Sequence, residues 1–354
     1  MKVLAVETSA DETAAAVVEN TNILSSVRYS QLEHSKWGGI VPSIAKLDHE
    51  ARIDEIIDQA MRSGLHLSLA EARKKNNPVD AIAVTVGPGL AIALEVGIKK
   101  AKELALKYDK PLIAVNHIEG HLLSPFADPN LKFEIGNLKF PILGLVVSGG
   151  HTELILVEEV GKYKILAQTM DDALGEALDK AARLLGMPYP GGALLEKAAS
   201  QGNPKAYPLP LPMAGKEDRN QLSYSGLKTA FGRLISAQPA VLSAQAINDL
   251  AAVFQNRAFE HLIRIVKKSI EHFSLNTEHL LVGGGVIANQ ELRKRLNKLG
   301  EELNLKVHFA PMELTGDNAA MIGIAASFKA AKKQFVKNLD DVDRLPRWRI
   351  DQLL

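Results

Sequence analysis

The sequence predicts an α/β protein built from two similar domains, and three observations predict it. The chain has 354 residues, which is two domains at a prior of ~150 residues each. Short apolar runs alternate with helix-periodic segments along the whole length. A strand, polar turn, strand pattern near the N-terminus returns about 140 residues later, as a duplicated domain would require. The repeat also has a plainer reading, since any two hairpins with polar turns look alike.

Residues Val3 to Val6 and Ala14 to Val18 flank the polar turn Glu7-Thr8-Ser9-Ala10-Asp11-Glu12-Thr13, an antiparallel hairpin. Leu47 to Met61 has helical periodicity. Ala81 to Val86 is a buried strand that stops at Gly87-Pro88-Gly89 and gives way to a helix ending near Leu106. Pro111 to Val115 is the next strand and leads into Asn116-His117-Ile118-Glu119-Gly120-His121. The hairpin pattern then recurs as Leu143 to Val147 and Leu154 to Val157 around Ser148-Gly149-Gly150-His151-Thr152-Glu153. Helix is expected over Asp179 to Leu185 and a long loop over 204–226, with a strand at Leu280 to Val282 entering Gly283-Gly284-Gly285. A helix continues over Asn289 to Leu299, and a last one runs from Asp317 to about Lys333. After Asn338 comes a charged tail whose order the sequence leaves open.

Composition excludes several classes. With 46% hydrophobic and 23% charged residues, the chain is an ordinary globular protein. It has no cysteine, so disulfides, thiolate metal sites and cysteine nucleophiles are all absent, and a metal would need His, Asp, Glu or water. The acidic start MKVLAVETSADE does not read as a secretory leader. No apolar stretch reaches the ~20 residues of a membrane span, so a membrane protein is not expected. Net charge is +1, from 42 basic and 41 acidic residues, which is little for a protein that grips nucleic acid unaided. The basic clusters Lys99, Lys100, Lys102 and Arg293-Lys294-Arg295 are candidate contacts to a polyanion or solvated helix faces.

Three turns invite a phosphate reading, because amides at glycine turns approach anions closely: Thr8 with Ser9, Ser148 to Gly150, and Gly283 to Gly285. His117 and His121, four apart, project from one face of a helix and suit one metal ion, or are two ordinary histidines near a helix start. A zinc-peptidase reading fails. Its Glu would directly follow the first His, where Ile118 stands, and Glu119 lies about 200° round the helix from His117. Asp317 is either an N-cap or a third metal ligand.

Taken together, Glu7 to Thr13, Val86-Gly87-Pro88-Gly89-Leu90, Asn116 to His121, Val147 to Thr152, Ser223-Tyr224-Ser225-Gly226-Leu227-Lys228-Thr229-Ala230 and Gly283-Gly284-Gly285-Val286 resemble the TsaD family of tRNA threonylcarbamoyladenosine transferases. The family was once described as sialoglycoprotein endopeptidases. The resemblance runs in order from residue 1 to about 330, and Leu122-Leu123-Ser124-Pro125 with the Ser223 to Ala230 block looks bacterial or mitochondrial rather than archaeal. The sequence departs from the family pattern at Ala10, where Cys is usual, at Trp37, where Tyr is usual, and over Ala91 to Glu95.

The resemblance implies an ASKHA (actin/hexokinase/Hsp70-like) fold, with two similar domains facing a nucleotide and metal cleft. It implies a first domain at 1–135, completed by a helix at about 317–335, a second at 136–316, and a charged tail at 338–354. It assigns one divalent metal (iron or zinc, with magnesium as a further choice) to His117, His121 and Asp317. It assigns threonylcarbamoyl-AMP to Val146, Val147, Ser148, Gly149, Gly150, Asp179, Gly192 and Asn289, and proton removal to Asp11 and Glu12. Expected activity is transfer of the threonylcarbamoyl group to the exocyclic amine of the adenosine 3′ to the anticodon, in tRNAs reading ANN codons, with AMP released. Expected partners are tRNA, a TsaB-like paralogue and a TsaE-like ATPase, in the cytoplasm. Two rival readings remain on residues alone: a small-molecule kinase of the same fold, and a non-catalytic scaffold like the family's shorter paralogue.

Overall fold

The structure is a computed structural model that describes residues 1–67, 78–128, 139–216, 219–273, 275 and 277–352. The domain boundary expected near residue 135, residues 217 and 218 of the expected loop, and the last two residues of the tail lie outside the described residues. Two compact units emerge. Unit 1 comprises Met1–Lys139, Glu158–Tyr163 and Ala310–Leu354, and unit 2 comprises Phe140–Val157 and Lys164–Phe309.

In unit 1 the strands are β1 (Lys2–Glu7), β2 (Glu12–Glu19) and β3 (Asn22–Ser30), followed by helix α1 (Pro42–Leu65). Then come β4 (Ala81–Gly87), α2 (Ala91–Tyr108), β5 (Leu112–Asn116) and the short helix α3 (His117–Leu123). The sheet order is β3-β2-β1-β4-β5, with β1 antiparallel to β2 and parallel to β4. β1 and β4 read as unbroken apolar runs because both their faces are covered. On one face Leu4, Val6, Ile82 and Val84 pack with Ile57, Met61, Leu94 and Leu104 of α1 and α2 in one buried cluster.

Unit 2 repeats the plan. Its strands are β6 (Ile142–Val147), β7 (Thr152–Glu159) and β8 (Lys162–Thr169), followed by helices α4 (Leu174–Leu184) and α5 (Gly192–Ala199). After β9 (Gln221–Leu222) come α6 (Ser225–Ser236), α7 (Ala244–His272), β10 (His279–Gly283), α8 (Gln290–Leu303) and β11 (Lys306–Phe309). The sheet order β11-β10-β6-β7-β8-β9 again places an antiparallel hairpin beside two parallel strands. The repeated hairpin therefore marks a repeated topology, and the plainer reading of it is set aside. The residues at the tip of the β7–β8 hairpin, Glu158–Tyr163, are counted with unit 1.

The last helix, α9 (Ala319–Ala331), belongs to unit 1 and packs on β1 and β2. Its residues from Ala319 to Ala330 are all buried, as a helix apolar all round requires.

Two expectations need adjustment, and the order of the tail is answered. The loop over 204–226 contains β9, which pairs in parallel with β8 at Gln168 and Gln221. Helix α4 starts at Leu174 rather than Asp179, because the Thr152 hydroxyl accepts the Leu174 amide and covers its first turn. The tail, whose order the sequence left open, is held in place. Leu345 donates its amide to Val86 (2.7 Å), the Gly89 amide reaches Pro346 (3.2 Å), and Ile350 is buried. Its few apolar residues, spaced among charges, hold it to unit 1.

Candidate metal centre and binding turns

β5 ends at Asn116, whose side-chain oxygen accepts the amides of Ile118 (2.9 Å) and Glu119 (3.3 Å) and so starts α3. His117 and His121 then stand on one face of that helix, one turn apart. Asp317 arrives from the segment before α9. It is not the N-cap: Asn318 caps α9 by accepting the Met321 amide at 2.9 Å. That leaves the Asp317 carboxylate to meet the histidines. Oδ1 lies 3.0 Å from Nε2 of His121 and 3.5 Å from Nε2 of His117. One ligand atom from each residue falls within 4.8 Å of the others.

This donor set fits one divalent ion. Tetrahedral bonds of ~2.0–2.1 Å place neighbouring ligand atoms ~3.3 Å apart, close to the 3.0 and 3.5 Å from Asp317 to the two histidines, with all three atoms within 4.8 Å of one another. Two imidazoles and a carboxylate are the donor chemistry of zinc and of non-haem iron. Gly120 matters to this arrangement, because a Cβ there would come 2.8 Å from Cδ1 of Ile322 and 3.2 Å from Cγ of Met321. Its absence lets α3 lie close on α9.

Behind the ligands stands a second layer that the sequence did not flag. Nδ1 of His117 faces the Ser9 hydroxyl (3.1 Å) and Oε2 of Glu7 (3.3 Å). Glu7 is fully buried, and its carboxylate also accepts from the Ser9 amide and the Thr85 hydroxyl. A carboxylate on Nδ1 turns the Nε2 lone pair toward the metal position. The available signal was an acid closing an otherwise apolar strand.

The electrostatics follow from the geometry. Burial works against charge on His117, but Asp317 and Glu7 overcome it and hold the imidazole well above its ordinary value. Burial dominates at His121 and lowers it. Burial would lift Asp317 and Glu7, yet His117 outweighs it for both, joined at Asp317 by His121, and both sit below the usual carboxylate range. Glu12 goes the other way. Burial, then the charges of Asp317 and Asp11, lift it well above that range against the pull of Arg28. His49 braces this turn, accepting from the Thr13 hydroxyl (2.7 Å) and donating to the Ala10 carbonyl (3.1 Å).

The three phosphate turns fare differently. Thr8 and Ser9 are buried, the Thr8 hydroxyl donates to Ala93 (3.0 Å) and the Ser9 amide to Glu7 (2.5 Å), so these two residues face inward and their anion reading is withdrawn. Gly149 and Gly150 are exposed with open space where a Cβ would stand. Gly284 adopts φ +99°, where a Cβ would overlap the Val147 carbonyl, so only glycine brings this turn onto the end of β6.

Within unit 2, Val146 and Val147 are buried in β6 and offer only backbone. Oδ1 of Asp179 accepts the amides of Gly191 (2.8 Å) and Gly192 (2.9 Å), joining two of the expected site residues. Asn289 is buried, caps α8 at Leu292 (3.1 Å) and donates to Gln255 (2.8 Å). Several basic candidates are already engaged in their own units. Lys100 pairs with Asp54 and Glu103, Arg293 donates to Ile287 and lies over Phe309, and Arg295 binds Glu291 and Asn256.

Comparison with known proteins places the chain in a family. The family described as TsaD, tRNA N6-adenosine threonylcarbamoyltransferase, matches residues 22–324. The chain belongs to the TsaD family. A tRNA N6-adenosine threonylcarbamoyltransferase of Geotalea uraniireducens is 41% identical over 355 residues, covering 100% of this chain and 98% of that protein. Proteins of the same name from Bartonella tribocorum and Trichlorobacter lovleyi are each 43% identical, covering 99% and 100% of this chain and 96% and 98% of theirs. Among solved structures, HypF of T. kodakarensis superposes with a TM-score of 0.57 at 16% identity, over 96% of this chain and 48% of that one. A full-length HypF in a phosphate- and nucleotide-bound form gives 0.59 at 13%, over 94% and 46%. The fold is thus of the ASKHA type. As a TsaD protein the chain is a transferase that modifies tRNA, and the kinase and scaffold readings are set aside. Its His117, His121 and Asp317 could hold the single metal ion of a metal-dependent family. No helix among the described residues is long and apolar enough to cross a membrane.

Proposed function

We propose that this TsaD protein takes its acyl group from threonylcarbamoyl-AMP and delivers it to N6 of the adenosine 3′ to the anticodon, in tRNAs reading ANN codons, in the cytoplasm. The observation that carries the reading is the convergence of His117, His121 and Asp317 within 4.8 Å in a chain related end to end to such transferases. We assign the three to one iron or zinc ion, with magnesium less suited to two imidazoles. When bound, that ion supplies Lewis-acid polarisation of a substrate oxygen.

The chain's own residues do the rest. N6 of the adenosine attacks the carbamoyl carbon, the bond from that carbon to the phosphate oxygen breaks, and AMP leaves with the electron pair. N6 loses one proton, and Asp11 or Glu12 is the group assigned to take it. The amine is a poor nucleophile, so alignment and charge stabilisation carry most of the rate. The Ser148–Gly150 turn, with Gly149 and Gly150 exposed, is assigned to the phosphate, with Val146 and Val147 contributing backbone. Asp179 with Gly192 beside it is assigned to the ribose, and Asn289 to the remainder of the adenylate.

Near-zero net charge, and the internal pairing of Lys100, Arg293 and Arg295, leave the chain poorly equipped to grip a polyanion alone. The resemblance to bacterial members of the family assigns a TsaB-like paralogue and a TsaE-like ATPase as partners, and a shortage of free basic residues fits that assignment. Labelled threonine, an adenylate-forming enzyme and the bacterial partner proteins test the reading on unmodified tRNA. Label should enter tRNA with wild type and fall to background with His117→Ala, together with bound metal. Turnover by a metal-free protein would sink it.

A further inference from the structure

Glu119 stands between His117 and His121 on α3, yet it points away from them, and nothing in the chemistry above gives it a task. It is fully buried, at 0% exposure, and its neighbours Lys329 and Tyr163 are each only 7% exposed. The Tyr163 hydroxyl donates to Oε1 at 2.8 Å, and Nζ of Lys329 lies 3.7 Å from Oε2, which makes no hydrogen bond. A buried ion pair of this kind is a poor source of stability. Desolvation offsets much of the attraction, and apolar replacements of similar volume are often as stable. Its location gives it another use.

The metal ligands come from two places: α3 carries both histidines, and Asp317 lies just ahead of α9. Lys329 is on α9. Tyr163 comes from the hairpin tip, which Lys332 of the same C-terminal segment also grips through Glu159 (2.9 Å) and the Val160 carbonyl (2.7 Å). Gly120 sets how closely α3 approaches α9, through Ile322 and Met321. Close packing alone leaves α3 free to rotate or slide slightly, and a small rotation would move both Nε2 atoms relative to Asp317. A directional contact on the opposite face of α3 removes that freedom.

We propose that Glu119, held by Lys329 and Tyr163, is a positioning residue of the metal centre that fixes α3 against α9 so that His117 and His121 meet Asp317. The proposal rests on these three residues being the metal ligands. Glu119 itself touches neither metal nor substrate.

The test is Zn²⁺ titration of the full-length protein against a chelating indicator, with Co²⁺ absorption spectra as a second readout. Wild type, Glu119→Gln, Lys329→Met, the double variant and His121→Ala are compared at a temperature where circular dichroism shows each folded. Each single variant should weaken Zn²⁺ binding about tenfold and alter the Co²⁺ spectrum, and the double should lose no more than either single, because the pair acts as a unit. A merely structural pair would lower the melting temperature and leave affinity and spectrum alone. Wild-type affinity in both folded single variants, or losses that multiply in the double, would overturn the proposal. Should a single variant not fold, Tyr163→Phe removes only one oxygen. It should weaken binding about threefold, and wild-type affinity there would count against the proposal equally. Undiminished binding by His121→Ala would instead refute the ligand assignment, and the proposal with it.

Discussion

Oε2 of Glu7 lies 3.3 Å from Nδ1 of His117, and both residues are buried. The carboxylate closes strand β1 and the imidazole opens helix α3, so the end of one element orients the start of another. The Ser9 hydroxyl, 3.1 Å from the same nitrogen, completes the arrangement. Glu7 thereby selects the tautomer that presents Nε2 of His117 toward Asp317.

Glu7→Gln keeps the shape and removes the charge. It should weaken metal binding by ~10–100-fold, the usual effect of removing a partner behind a metal-bound histidine. Equilibrium dialysis against Zn²⁺ would measure it. Unchanged affinity would mean that Ser9 alone sets the tautomer.

Gly120→Ala sets two effects against each other. Alanine gains ~1 kcal/mol of helix propensity over glycine. Its Cβ would meet Ile322 at 2.8 Å and Met321 at 3.2 Å, and both side chains are fully buried with little room to move. Overpacking of this kind costs ~1–3 kcal/mol, so a net loss of about 1 kcal/mol is expected in urea unfolding, with weaker metal binding. A stabilised variant would show that the α3–α9 contact is looser than described.

Acid should loosen the start of α6. Burial pushes Asp171 up, but the hydroxyls of Ser223 and Ser225 and the amides of Tyr224 and Ser225 outweigh it and lower its pKa. At Asp172 the same contest is won by Lys180 and Lys228. Both folded values lie below the ordinary one, so their contribution to stability is fully present above the unfolded value of about 3.9. It is lost as pH falls through the lowered folded values. Both carboxylates are partly solvated, so the effect is small, at most about 2–4 °C in melting temperature. Asp172→Asn should flatten the fall in melting temperature below about pH 4, measured by scanning calorimetry. An identical slope in the variant would remove Asp172 from the account.

Much of the fold was legible in residue order because its signals are local. The apolar runs of β1, β4 and β6 and the periodicity of α1 and α2 follow from a few residues each. The repeated hairpin foretold the repeated sheet order, and the ordered motifs foretold the family. Where tertiary contact outweighed local pattern, the reading slipped. Thr8 and Ser9 resemble an anion turn until packing turns them inward, and the order of the tail stays open until Leu345 and Ile350 find β4 and the interior of unit 1.

The metal centre divides along the same line. Four-residue spacing on a helix puts His117 and His121 on one face whatever the rest of the chain does, so that half was readable from the sequence. Asp317 is 196 residues beyond His121. Whether it would cap its own helix or cross to the histidines depended on Asn318 taking the cap and on Gly120 letting α3 settle on α9. Helix geometry is set by neighbours in the chain, whereas the meeting of distant side chains is set by how closely the elements carrying them pack.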